Sequence, residues 1–546
     1  MNKFLRKGLA LALAAIACVP VVGCGDPSSS GSADKPVDKT KVQLHVSNFN
    51  GGVGHDWLDA HIKRFEEDYK DYEFIPGTKG VQVWVTNHKS GITELGSKLG
   101  NAKEDVYFLE GVNYYDAISQ GYFLDITDIV TEPLTEYGET GSIEDKLYDS
   151  QVDFYKTENG KYYGLPHAQS PTLITYDADL FNSKKLYLSA DGKFNKKSTD
   201  SGLSKGVDDV AGTYDDGLPA TYEEFYALCD TMKTRGVAPM LWSGQYEFYM
   251  TRFAKELRAD FDGDEAMNAY DFDGTATKLV ESIDANGNIT YRDPVRITQQ
   301  NGYEVYSSAS YYYTFDFFEK IYKGNYYHSK SFNKNLSHMD AQSFFLYSSN
   351  TPGENPVGML VEGLYWVNEA QATFEEMSSY KGMSLQERNI KIMPLPKATA
   401  EQVGEKTTLV DSLNQLAFIS AYVPEERKEL AKTFLQYCTT QKSLEEFIVE
   451  TGLTRNFDVD YSGVYDLLCP YSKSLIDLLS TSNYIMPASE TEVFRKNYQA
   501  LYKDYEIGTT AEPDPMISIK NGKTALQLFN TLKSKYDATS WQALLG

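Results

Sequence analysis

Apolar positions along this chain recur at two periods, and the switches between them mark out strands and helices. Val42, Leu44 and Val46 alternate with polar residues and predict a strand over 42–46. Beyond a glycine-rich stretch, Trp57, Leu58, Ile62 and Phe65 fall at helical spacing and predict a helix over 55–69. Strands over 81–86 and 105–109, a helix over 92–99 and a helix carrying Tyr114, Tyr115 and Ile118 continue the alternation. It resumes with a strand over 172–176 and a helix beginning over 177–181, strands over 357–361 and 390–393, and an apolar stretch over 411–420. The most regular helical pattern, 424–438, starts with acids, as the helix dipole prefers. Further helices are predicted over 444–450, 474–479, 491–505 and 522–532, with an aromatic core helix over 311–322. Strands alternating with helices in this way predict an α/β fold.

Local chemistry sharpens three segments. Thr221 with Glu224 at the third helical position forms a capping box, so a helix starts there, runs to about Lys233 and stops before Gly236. Residues 189–218 are rich in glycine, lysine, aspartate and serine and predict a surface insertion. The acidic run from Asp260 has aspartates where a calcium-binding EF-hand loop begins, but Glu265 stands where that loop needs glycine and Asp271 where it needs a glutamate. A solvated acidic loop is the expectation there.

At 546 residues the chain exceeds what one hydrophobic core supports, so two lobes are expected. The formal net charge of −25 repels phosphate backbones and anionic headgroups, which argues against nucleic acid and direct electrostatic membrane docking. Tyrosine, at 41 residues against five tryptophans, offers a ring with a polar tip suited to sugars or peptides in a wet cleft. The five cysteines fit no zinc or CxxC spacing; Cys438 with Cys469 is the one pair worth considering, and free buried Cys229, Cys438 and Cys469 are expected.

The N-terminus carries Lys3, Arg6 and Lys7 before the apolar run 8–22, too short for a permanent membrane helix, and reads as a signal peptide over 1–23. Residues 25–40 cannot bury a core and read as a flexible tether.

Candidate chemistry concentrates where strands end, because groups beyond the carboxyl end of a strand line the crevice of an open α/β sheet. The run 357–361 ends in Glu362, Gly363 and the adjacent rings Tyr365 and Trp366, an acid and two ring faces at a pocket mouth. The strand 105–109 ends at Glu110-Gly111, and Asn50 opens the turn Gly51-Gly52-Val53-Gly54, whose glycines allow a close approach to a ligand. Trp242 lies on a further loop, and Asp411 near another strand end. The turn lacks both dinucleotide and P-loop spacing, so no nucleotide or other cofactor is expected.

Together these pieces resemble the family 1 extracellular solute-binding proteins of ABC importers, the maltose-binding type. The resemblance rests on 103–130, 160–181 with Gly164-Leu165-Pro166 and Tyr176-Asp177, 219–239, 357–396 and 409–456. The string ending Val21-Val22-Gly23-Cys24 similarly resembles the lipobox of bacterial lipoproteins, which implies a lipid on Cys24. The family resemblance implies a two-lobed periplasmic-binding-protein-like fold: 41–168 plus 407–456 as one lobe, 169–406 plus 457–546 as the other, hinge strands near 169–172, 406–409 and 455–458, and a carbohydrate in the cleft. It implies no catalysis and a partnership with importer permease subunits. By position it places Trp366 or Tyr365 as the stacking aromatic, and Glu110 to Asn113 as polar cleft residues; His167, Gln169, Trp242, Glu362 and Asp411 complete the expected site. Two other readings stay open: a lipid-anchored glycosidase, for which Glu110, Glu362 and Asp411 supply carboxylates, and a peptide-binding surface lipoprotein.

Overall fold

The computed structural model describes residues 36–88, 99, 102–169, 171–246, 248–263, 269–351, 353–411, 415–486, 491–497, 501 and 514–545. Along the chain, β1 (Val42–Phe49), β2 (Val81–His88), β3 (Val106–Glu110) and β4 (Leu165–Pro166) lie in a first sheet. The chain crosses to a second sheet formed by β5 (Thr172–Asp177), β6 (Ala238–Leu241), β7 (Val357–Gly363) and β8 (Ile390–Met393). It returns through β9 (Thr407–Val410) to β10 (Gln415–Ile419), which joins the first sheet, and a later strand, β11 (Ser482–Ile485), pairs in parallel with β9.

Both sheets are mixed. The first has the order β2-β1-β3-β10-β4, with β1 parallel to β2 and β3, and β10 antiparallel to β3 and β4. The second has the order β8-β5-β7-β6, with β5 antiparallel to β7 and β8, and β7 parallel to β6. Every residue of β7 is buried, as expected of a strand covered on both faces. The register Val42↔Val81, Leu44↔Val83 and Val46↔Val85 brings the apolar alternations of β1 and β2 to one face. The helix Asp56–Asp68 buries the predicted stripe of Trp57, Leu58, Ile62 and Phe65.

Caps and buried ion pairs fix the second lobe. Thr221 accepts a hydrogen bond from Glu224 N at 3.2 Å, but the Glu224 carboxylate reaches one residue further back than a capping box requires, to Ala220 N at 2.7 Å. Asp177 caps the helix Ala178–Lys184 through Leu180 N and pairs with buried Arg388 at 2.9 Å. The acidic run from Asp260 departs from the expected solvated loop. Asp260 belongs to the helix Phe248–Asp262, is buried, and pairs with Lys397 at 2.7 Å, because that lysine is enclosed in the core and needs a counter-charge. The rest of the acidic run, 264–268, lies outside the described residues.

The insertion 189–218 is folded rather than loose: buried Asp215 gathers hydrogen bonds from Val207 N, Asp208 N and the Thr213 hydroxyl, and Val207 O accepts from Gly404 N. The end of the expected tether is also docked. Gln82 on β2 receives Asp38 N and donates to Pro36 O. Cys229, Cys438 and Cys469 are free and buried. The expected helix 92–99 is outside the described residues apart from Leu99, as are Cys24 and most of 498–505.

Helix Phe248–Asp262 is the beam to which the crossing strands are tied. Glu256 accepts from Val410 N at 2.9 Å, and Asp260 from Thr408 N at 3.1 Å. On the other side of the crossings, buried Arg455 donates to the carbonyls of His167 at 3.1 Å and Cys438 at 2.7 Å, with its guanidinium over the Trp57 and Phe108 rings.

Candidate functional site between the sheets

The carboxyl ends of β1, β3 and β7 converge. From the first sheet come the turn after β1 and Glu110 at the end of β3; from the second come Tyr365, Asn368 and Glu369 just after β7, and Arg252 from the first half of helix Phe248–Asp262. The glycines set how closely these sides meet. Gly52 (φ +59) and Gly54 (φ +69) adopt the left-handed region, and a Cβ there would stand 3.4 Å from the Tyr365 ring and 2.9 Å from Asn368 Nδ2. Asn368 Nδ2 donates to Gly52 O at 2.8 Å, and Arg252 Nη1 to the Tyr365 hydroxyl at 3.4 Å.

Three carboxyl groups surround this seam, all with raised pKa. Burial pushes Glu110 up, opposed by the positive charge of Arg252. Burial, with the Glu369 carboxyl nearby, holds Glu362 well above the carboxylate range. Glu369 is pushed up to about 7, chiefly by burial, while Gln342 Nε2 donates to it at 2.8 Å. The seam therefore gathers a guanidinium, amides, a phenol and carboxyl groups, hydrogen-bonding groups of both senses, beside an aromatic ring.

Of the expected site residues, Asn50, Glu110, Glu362 and Tyr365 belong to this region. Asn113 spends its side chain capping the helix Tyr114–Ser119 through Asp116 N. His167 is enclosed by Trp57 and Phe108, and burial followed by the Arg455 charge drives its pKa well below the usual range. Gln169 accepts from the Thr454 hydroxyl, and Asp411 from Asn456 Nδ2, so both serve the crossings.

The two tryptophans correct the expectation of a stacking surface. Trp366 is 0% exposed, donates from Nε1 to Thr175 Oγ1 at 3.1 Å and packs against Phe345, Phe374 and Tyr471. Trp242 packs on Tyr327 and Phe332. Once β7 ends, the chain enters a helix at Trp366, which sends that ring into the core, while Tyr365, its N-cap, is also buried at 7% exposure but packs against the Gly52 turn at the seam.

Sequence reading missed Arg252, Gln342, Asn368 and Glu369. Asn368 and Glu369 lie about one helical turn beyond Tyr365 and were legible as its neighbours. Arg252 was not, because nothing local links its helix to β7. Among the described residues, His55, Asp56 and Asp59 stand close enough to share a cation, but both aspartates are exposed and on the first turn of a helix, where acids serve the dipole.

No family model matches the chain, and no curated protein matches it in sequence. Solved structures do. A chitin oligosaccharide binding protein superposes with a TM-score of 0.54 at 14% identity, covering 92% of this chain and 99% of that one. The protein RafE in complex with raffinose gives 0.53 at 14%, covering 90% and 100%. A structure from work on xylan utilisation by Caldanaerobius polysaccharolyticus gives 0.55 at 12%, covering 91% and 100%. The chain shares the fold of these three structures over about nine-tenths of its length.

Proposed function

We propose that the protein is a lipid-anchored extracellular solute-binding protein of the family 1 type. It captures an oligosaccharide between its lobes and delivers it to the permease subunits of an ABC importer. The observation that carries this reading is the meeting of the Gly52 turn with Tyr365 and Asn368 at converging strand ends, on a fold shared with proteins named for chitin oligosaccharide and raffinose. Tyr365 supplies the aromatic face; Arg252, Asn368, Glu110 and Glu369 supply partners for hydroxyls. The lobes divide as 41–168 with 407–456 and 169–406 with 457–546, and the crossings tied by Glu256, Asp260 and Arg455 act as the hinge.

Anchoring rests on the lipobox-like string before Cys24, on a mature surface too acidic to dock on anionic lipid, and on the absence, among the described residues, of any helix long and apolar enough to cross a membrane. The test is calorimetric titration of the mature protein with chitin, raffinose-type and xylan oligosaccharides and with a mixed peptide library, with product analysis of the same samples. Saturable binding of an intact sugar supports the reading. Cleavage of the sugar would establish the glycosidase, and binding of peptides alone the adhesive lipoprotein.

A further inference from the structure

A cavity of about 610 Å³ shares no residue with the seam. Its walls are the rings of Tyr148, Phe457, Tyr461 and Tyr465, together with Ile476 and Leu479. The volume is that of a small-molecule site. Tyr148 is held by ring contact with Tyr484 at 4.8 Å, and the neighbouring chain is stitched in place by Asp458 N donating to Lys146 O at 2.8 Å.

The polar lining is one-sided. It carries the carboxylates of Asp458, Asp460 and Asp466, and neither lysine nor arginine. Three lining hydroxyls have their protons committed: Ser462 to Asp460 at 2.8 Å, Tyr465 to Asp477 at 2.9 Å, and Ser480 to Asp477 O at 2.8 Å. What remains toward the cavity is the ring faces, the hydroxyls of Tyr148 and Tyr461, and the more numerous carboxylate oxygens of Asp458, Asp460 and Asp466, so acceptors outnumber donors. A sugar needs acceptors and donors in similar number, whereas an ammonium ion brings donors and charge and needs only acceptors and rings. The Tyr465 ring already attracts a cation of the chain itself, with Lys473 Nζ 5.5 Å from its centre.

We propose that this cavity is a second ligand site that takes an organic ammonium ion bearing an apolar group, independently of the sugar seam. The test uses the mature protein without sugar, titrated with benzyltrimethylammonium chloride and, as the neutral control, benzyl alcohol, followed by calorimetry and saturation-transfer NMR. The expected result is saturable binding of the cation and none of the alcohol. The double variant Asp458→Asn/Asp466→Asn, at two exposed positions, is expected to bind about tenfold more weakly, and Tyr365→Ala to bind as the parent does. Failure of the parent to saturate, equal binding of the alcohol, unchanged affinity in the double variant, or loss of affinity in Tyr365→Ala each overturns the proposal. Because no sugar is present, these outcomes are independent of whether the seam binds one.

Discussion

Of two adjacent rings, Trp366 packs in the core and Tyr365 meets the Gly52 turn where we propose the sugar binds, and exchanging each tests that proposal. Trp366→Phe removes the indole N–H that reaches Thr175 Oγ1 and leaves space where the second ring lay among Phe345, Phe374 and Tyr471. The lost hydrogen bond costs about 1 kcal/mol. The partial void costs about 1–2 kcal/mol more. The variant should therefore lose roughly 2–3 kcal/mol of stability, seen as an earlier urea midpoint, with sugar affinity within about twofold of the parent. Tyr365→Ala removes the ring facing the Gly52 turn and the partner of Arg252. Loss of a central aromatic anchor costs about 2 kcal/mol in binding, roughly thirtyfold in Kd. Calorimetry with the best sugar of the panel, with circular dichroism to confirm folding, reads both. Should Trp366→Phe weaken binding as much as Tyr365→Ala does, the assignment of Trp366 to the core is refuted.

Other consequences follow from the buried charges and the N-terminus. Burial raises the pKa of Glu256 from the ordinary 4.5 to about 8, so between those values the folded chain holds a proton that the unfolded chain has released. Stability is then fully present below the ordinary value and falls as pH rises toward 8; the thermal midpoint should decline over that window, and less steeply in Glu256→Gln. Arg388→Met leaves the buried Asp177 carboxylate unpaired and should cost about 3–5 kcal/mol, part of which Asp177→Asn in the same chain restores, since asparagine still caps Leu180; urea melts compare the three. Cys24→Ala should move the protein from the membrane fraction to the soluble fraction of the producing cells, and a variant that remains fully membrane-bound contradicts lipidation at that residue.

The fold was legible because its strands are short, apolar and set between strongly periodic helices: β7 and the helix Asp56–Asp68 follow the pattern of Val357 to Val361 and of Trp57 to Phe65. The candidate seam was legible only where it is local to a strand end, as at Glu110, Glu362 and Tyr365, whose place beside the Gly52 turn is structural and whose ligand role is proposed. Which of two adjacent rings faces the seam depends on where the chain enters its helix after Gly363, and a shift of one residue there exchanges Tyr365 for Trp366. Arg252 and Gln342 reach the site through tertiary packing of distant helices, which leaves no trace in local spacing. His167, Gln169 and Asp411 have internal partners at the crossings for a related reason: polar residues there satisfy buried backbone and charge, as with Arg455 and the His167 carbonyl, and in sequence they look the same as ligand-binding residues.

We propose that the lobes close over a sugar at the Gly52–Tyr365 seam. Small-angle scattering of the mature protein, with and without a saturating oligosaccharide, tests it most directly. Closure gives a smaller radius of gyration in the sugar-bound protein and no change on adding the same sugar to Tyr365→Ala at a concentration that saturates only the parent. An unchanged radius in the parent at proven saturation would contradict it.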